Sequence, residues 1–195
     1  MLTRIAAVLV RQHMAQAAPP GVDPGRFLTA IAEDTYEMVA GLELVTPVLI
    51  TSVPGLDDIV WPGTEVITVD EHEPLKAILG RLRAEQAAVI AADAPDLPPL
   101  LVGKLFRELG RAEVTICPAE GGGAVALACA LPAPAWADPD LNAHDVVKDL
   151  RAQAPGPRRV ATTPGWHRLR APADLERLDP GLEGWDNTRA LLRAE

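Results

Sequence analysis

A chain of 195 residues is long enough to enclose a sizeable hydrophobic core, and it fits a single domain over 1–195 better than two. Its formal charge of −9, with acids spread along its length rather than gathered in a tail, disfavours non-specific attraction to nucleic acid or to an anionic membrane. Cys117 and Cys129 form neither a disulfide framework nor a CxxC metal pair. No apolar run approaches the length of a membrane span, and no cleavage site follows the first apolar run, so a cytoplasmic protein is expected.

Residues 5–10 (IAAVLV) read as a first strand, and residues 11–25, with Pro19, Pro20, Gly21 and Pro24, as a long irregular loop. Such a loop inside a compact domain is more often functional or mobile than idle, which makes it a candidate lid or binding loop. Arg11, His13 and the adjoining Arg26 are its cations, Arg11 being the candidate ligand contact. It lacks the glycine spacing and following lysine that cradle phosphates, so a loop that has lost its former role is the alternative. Phe27, Ile31, Tyr36, Met38, Val39 and Leu42 recur at helical spacing, with Gly41 as a stop. Strands are expected at 45–51 and 65–69, a turn-rich link at 54–63 between them, and a helix over 74–83.

The stretch 87–97 (AAVIAADAPDL) is the centre of the pattern. Residues 87–92 do not alternate and are all small or aliphatic, as in a strand buried on both faces of a parallel sheet. Open α/β sheets bind ligands at the carboxyl ends of such strands, so Asp93 is the first candidate site residue. The alternative is that Asp93 and Asp96 only cap the helix that starts near Pro98 and Pro99.

An amphipathic helix over 98–109 and a β-branched strand over 113–118 follow. A glycine-rich turn over 119–123 then carries Glu120 at its lip and leads to an apolar strand over 124–131. Gly121, Gly122 and Gly123 permit positive φ and close approach of a ligand to the backbone, although a hairpin needs the same freedom. A helix is expected over 142–151, where His144 and Asp145 read as cap residues, then a brief strand at 158–161, a short helical turn at 173–178 and a last helix at 185–192. His167 reads as a partly buried hydrogen-bonding residue, because no serine or cysteine stands in a nucleophile motif to use it.

Taken together, VIAADAPDL, CPAEGGGAVALA, PGWHRLRAPADLERL and the helix EDTYEMVAGL resemble the bacterial glycosyltransferase-A-like family of arsenosugar-type or radical-SAM-associated glycosyltransferases. More distantly they resemble the guanylyltransferases that act on 2-phospho-lactate and on the molybdenum cofactor. The resemblance implies a Rossmann-like three-layer α/β sandwich of nucleotide-diphospho-sugar transferase type with a mostly parallel sheet. It implies a nucleotide or nucleotide-sugar substrate, and Mg²⁺ bridging its phosphates to stabilise the leaving diphosphate. Asp93 would hold the metal, Glu120 would face the acceptor, and the three glycines would let the acceptor lie against the backbone.

The chain departs from that pattern at three places. No basic run follows the first strand, and Gly121 stands where the family carries an acid. In the tail motif, Arg168 and Arg170 replace acids, one of them a metal ligand. Guanidinium groups repel a hard cation, so an incomplete metal site is expected, with Arg168 and Arg170 as candidates for fixed positive charge on a phosphorylated small molecule. A protein that keeps the sheet and only binds or assembles is the competing expectation, and a homo-oligomer stays open.

Overall fold

The computed structural model describes residues 1–194. The apolar runs form seven strands: β1 (Arg4–Val10), β2 (Thr46–Thr51), β3 (Glu65–Thr68), β4 (Gln86–Ala91), β5 (Val114–Pro118), β6 (Ala124–Ala130) and β7 (Val160–Thr162). The segments of helical period form α1 (Pro24–Ala40), α2 (Leu75–Leu79), α3 (Pro99–Glu108), α4 (Val146–Gln153) and α5 (Asp186–Arg193). The strands make one sheet in the order β3-β2-β1-β4-β6-β5-β7. Only β6 runs antiparallel to its neighbours, so the expected mostly parallel α/β sheet is present.

From β1 the chain moves through α1 to β2 on one side, and from β4 it moves through α3 towards β5 on the other. Right-handed crossovers in opposite directions put the two helices on opposite faces, and a crevice opens where the direction reverses. That point lies between the carboxyl ends of β1 and β4, where Arg11 and Asp93 stand. The small residues of β4 serve this position: Ala87 and Ala88 face Cys129 and Ala128 of β6 in register and are fully buried. Cys117 lies opposite Ala126 and Cys129 opposite Val114, and both thiols are free.

Residues 11–25 are not the irregular loop that their composition suggests. They form a 3-10 turn, Gln12–Ala17, and α1 starts at Pro24 with the Asp23 carboxylate accepting from Arg26 N–H at 2.8 Å. Met14, Ala15, Ala17 and Val22 are buried, so the segment is packed down by its own apolar residues. The alternative reading of Asp93 and Asp96 as caps of α3 is not met: Pro98 holds the cap position and no side chain bonds there. The helix expected from residue 142 starts at Val146, and the Asp145 side chain makes no capping bond. Among the described residues, no helix is long and apolar enough to cross a membrane.

At its C-terminal end the chain is fastened by Asp34, a buried residue of α1. Its carboxylate accepts from Asn187 N–H at 2.9 Å, Asn187 Nδ2 at 3.0 Å and Thr188 N–H at 2.7 Å, in the first turn of α5. Replacing Asp34 by alanine leaves those donors orphaned beside an apolar contact. Asp34→Ala is expected to lower stability by about 2 kcal/mol, measured as a fall in the urea midpoint at unchanged slope.

Candidate functional site

The parallel ladder runs one residue past β4, with Ala92 N–H on the Leu9 carbonyl at 3.0 Å, and the chain then bends at Asp93. A second segment arrives from the far side of the sheet. Trp166 pairs with Ala119 beyond the end of β5, and Leu169 N–H donates to the Asp93 carbonyl at 2.7 Å. This lays residues 166–169 across the mouth of β4.

Arg168 then meets Asp93 as a fork. Nε donates to Oδ1 at 2.7 Å and Nη2 to Oδ2 at 2.9 Å, and the two side chains are 2% and 3% exposed. Nη1 donates to Asn142 Oδ1 at 2.9 Å and to the carbonyls of Ala124 at 3.2 Å and Leu141 at 3.3 Å. Every nitrogen of the guanidinium is thus engaged. Its neighbour His167 turns the other way, to Asp96, with Nε2 at 2.9 and 3.0 Å from the carboxylate oxygens. Trp166 Nε1 and Asp179 N–H, each at 3.1 Å, complete that carboxylate. Asp96 is therefore a buried hub that joins three loops, and His167 is the hydrogen-bonding residue expected.

A cavity of about 390 Å³ opens beside this pair, between residues 11–13 after β1, residues 71–75 after β3, and residues 138–142. Leu141 and Asn142 belong to both places: they line the cavity and they hold Arg168. Arg11 faces the same cavity, but its guanidinium is spent within the chain. It donates to the carbonyls of Asp70 at 2.8 Å, Glu71 at 2.5 Å and Glu73 at 2.6 Å.

Glu71 is absent from the sequence reading, because nothing in its sequence neighbourhood marks it. Its carboxylate accepts from Gln12 N–H at 2.8 Å, His13 N–H at 3.1 Å, His13 Nδ1 at 2.7 Å and the Ser52 hydroxyl. Burial pushes its pKa up, but the bonds from Ser52, His13 and Gln12 outweigh burial together and bring it from 4.5 down to about 2.

The three glycines all have positive φ, at 79°, 107° and 76° for Gly121, Gly122 and Gly123. Their turn closes on the protein itself: Gly122 N–H bonds the Ala119 carbonyl at 3.1 Å and Gly123 N–H the His144 carbonyl at 3.0 Å. Glu120 is exposed and lies 3.5 Å from Arg177. Among the described residues no hydrogen bond or ion pair joins Glu120 to Asp93 or Arg168. Arg170 sits over Gly123, where a Cβ would come within 2.6 Å of its Nη2. The structure therefore gathers Asp93, Arg168, Arg170 and Gly123, and leaves Arg11 and Glu120 in other contacts.

The residues at Asp93 do not fit the metal that the resemblance implies. Both carboxylate oxygens already accept from a guanidinium, whose positive charge would repel a cation at hydrogen-bond distance. Among the described residues, no group of three or more His, Cys, Asp or Glu side chains is placed to hold a metal ion.

Comparison with known proteins supplies the fold. No family model matches the chain, and no curated protein does. Solved structures do. A protein from Desulfovibrio desulfuricans G20, provisionally named a nucleotide-diphospho-sugar transferase, is 16% identical over 100% of this chain and 98% of its own, with a TM-score of 0.67. The 4-diphosphocytidyl-2C-methyl-D-erythritol synthase of Anaerococcus prevotii is 11% identical over 98% and 97%, with a TM-score of 0.63. The CMP:2-keto-3-deoxy-manno-octonic acid synthetase in complex with CTP is 13% identical over 98% and 99%, with a TM-score of 0.54. At these identities the likeness establishes the nucleotide-diphospho-sugar transferase type of α/β fold, and activity does not travel with it.

Two outcomes test the geometry. Asp93→Ala strands a buried guanidinium and is expected to destabilise the protein by about 3–5 kcal/mol, whereas Asp93→Leu combined with Arg168→Met costs less, as denaturant titration would show. For Glu71, the folded pKa lies below the usual 4.5, so its contribution is complete above that pH and is lost as pH falls through about 2. The stability gap between wild type and Glu71→Gln should therefore be widest at neutral pH and close between pH 4.5 and about 2.

Proposed function

We propose that the chain is a nucleotide-using, transferase-like protein that recognises a nucleotide-activated or phosphorylated ligand at the carboxyl edge of its sheet without a divalent metal at Asp93. The observation that supports this reading is the buried Asp93–Arg168 fork, which commits both carboxylate oxygens to a guanidinium. Transfer from a diphosphate builds negative charge on the leaving group; Arg168, with every nitrogen bonded within the protein, does not meet that charge itself but fixes the edge at which a free cation can. In this reading Asp93 and Arg168 together are positioning residues, and Glu120 at the lip of the glycine turn faces the acceptor. The glycosyltransferase-A-like branch of the fold is the assignment we prefer within it, and guanylyltransferase-like nucleotidyl transfer is the alternative chemistry.

One observation favours a second reading, a non-catalytic ligand-binding or interaction protein on the same fold. The donors that follow β1, which could meet a phosphate, are taken up within the chain: Arg11 by carbonyls of residues 70–73, and the amides of Gln12 and His13 by Glu71.

Thermal shift tests whether a nucleotide binds at all, because a ligand that binds only the folded state raises its melting point by mass action. Cytidine, guanosine and uridine nucleotides and nucleotide-sugars would be titrated with Mg²⁺ and again with EDTA. A ligand near a hundred times its Kd adds about 2.7 kcal/mol, an easily measured rise, and the rise should be the same in EDTA. A rise that appears only with Mg²⁺ would overturn the metal-free reading, and no rise with any nucleotide would overturn the nucleotide-using one and favour the non-catalytic one.

A further inference from the structure

Arg170 stands apart from the other charges of this edge. Among the described residues its guanidinium enters no hydrogen bond and no ion pair; only its backbone N–H is bonded, to Asp174 Oδ2 at 2.9 Å. The residue is exposed, but its guanidinium end is partly shielded. It lies in the slot left by Gly123, a position with φ 76° where a Cβ would come within 2.6 Å of both Arg170 Nη2 and the Leu141 carbonyl. Burial and the like charge of Arg168 both lower its pKa, against the raising effects of Asp93 and Asp174.

The local charge count is informative. Asp93 is cancelled by Arg168 through both oxygens. Asp174 gives Oδ2 to the amides of Arg170 and Ala171, and its Oδ1 lies 3.8 Å from Arg177. Among the described residues Arg170 is left without an ion-pair partner, in a chain of net charge −9. A guanidinium that is partly desolvated, held beside another guanidinium and short of acceptors is arranged for an anion that can present two oxygens.

We infer that Arg170 is the phosphate-recognising residue of this edge, with Asp93, Arg168 and Gly123 as the positioning residues that keep its fork turned outward. The ligand class is a phosphate or diphosphate group; that this group belongs to a nucleotide rests on the function proposed above.

The test uses inorganic pyrophosphate as probe, by isothermal titration at two salt concentrations on the whole chain, with circular dichroism to confirm that each variant folds. Wild type should bind pyrophosphate, more weakly at high salt. Arg170→Gln should weaken binding by about tenfold or more and flatten the salt dependence, and Arg170→Lys should recover part of the affinity, since it keeps the charge and loses the fork. Arg158→Gln, which removes an exposed charge elsewhere, should bind as wild type does. If wild type does not bind pyrophosphate, or if Arg170→Gln binds it unchanged, the inference is overturned. Pyrophosphate binding through Arg170 with no nucleotide binding would keep this inference and remove the nucleotide. Nucleotide binding that is equal in wild type and Arg170→Gln would do the reverse.

Discussion

The structure of the carboxyl edge depends on one buried ion pair. Taking two charges out of water costs several kcal/mol per ion, and the cost is met only where geometry is good and no donor is left over. Arg168 meets that condition: a bidentate fork on Asp93, and its remaining nitrogen on Asn142 and two carbonyls. The pair ties three distant stretches together, the end of β4, the segment 166–169 and the wall at 141–142. Through its neighbour it also sets the Asp96–His167 contact, because the two side chains leave the backbone on opposite sides.

The same pair decides what the edge can offer to a ligand. A carboxylate with both oxygens committed is not available to a cation, so the negative charge that an α/β nucleotide site would use for metal is spent inside the protein. Around the neighbouring cavity the chain also satisfies its own groups, with Glu71 on amides and Arg11 on carbonyls. Among the described residues, the Arg170 guanidinium over Gly123 stays unmatched. The glycine turn thus has two jobs that its composition does not separate: it closes the hairpin from β5 to β6, and it clears a slot for a side chain.

Much of the fold was legible from residue pattern. Buried parallel strands are continuous apolar runs, and amphipathic helices keep a 3.6-residue period, so strands β1 to β7 and helices α1, α3 and α5 fall within a few residues of where the pattern puts them. The pattern failed where tertiary packing overrode composition. Residues 11–25 carry proline and glycine like an irregular loop, yet Met14, Ala17 and Val22 dock on the sheet and wind the segment into turns. Asp96 looked like a helix cap because caps are local, whereas its partners His167 and Asp179 lie far along the chain.

For the site, the sequence by itself determined which residues were unusual: an acid at the end of the central strand, three consecutive glycines, and arginines where a related pattern has acids. Those are properties of identity and order, and they survive without coordinates. Only the tertiary structure decided their roles, since hydrogen bonding and burial depend on distances between residues about 75 positions apart, as with Asp93 and Arg168. Two arginines separated by a single residue were equivalent on paper. In space one is buried and neutralised by a carboxylate, and the other is exposed, with no side-chain partner among the described residues.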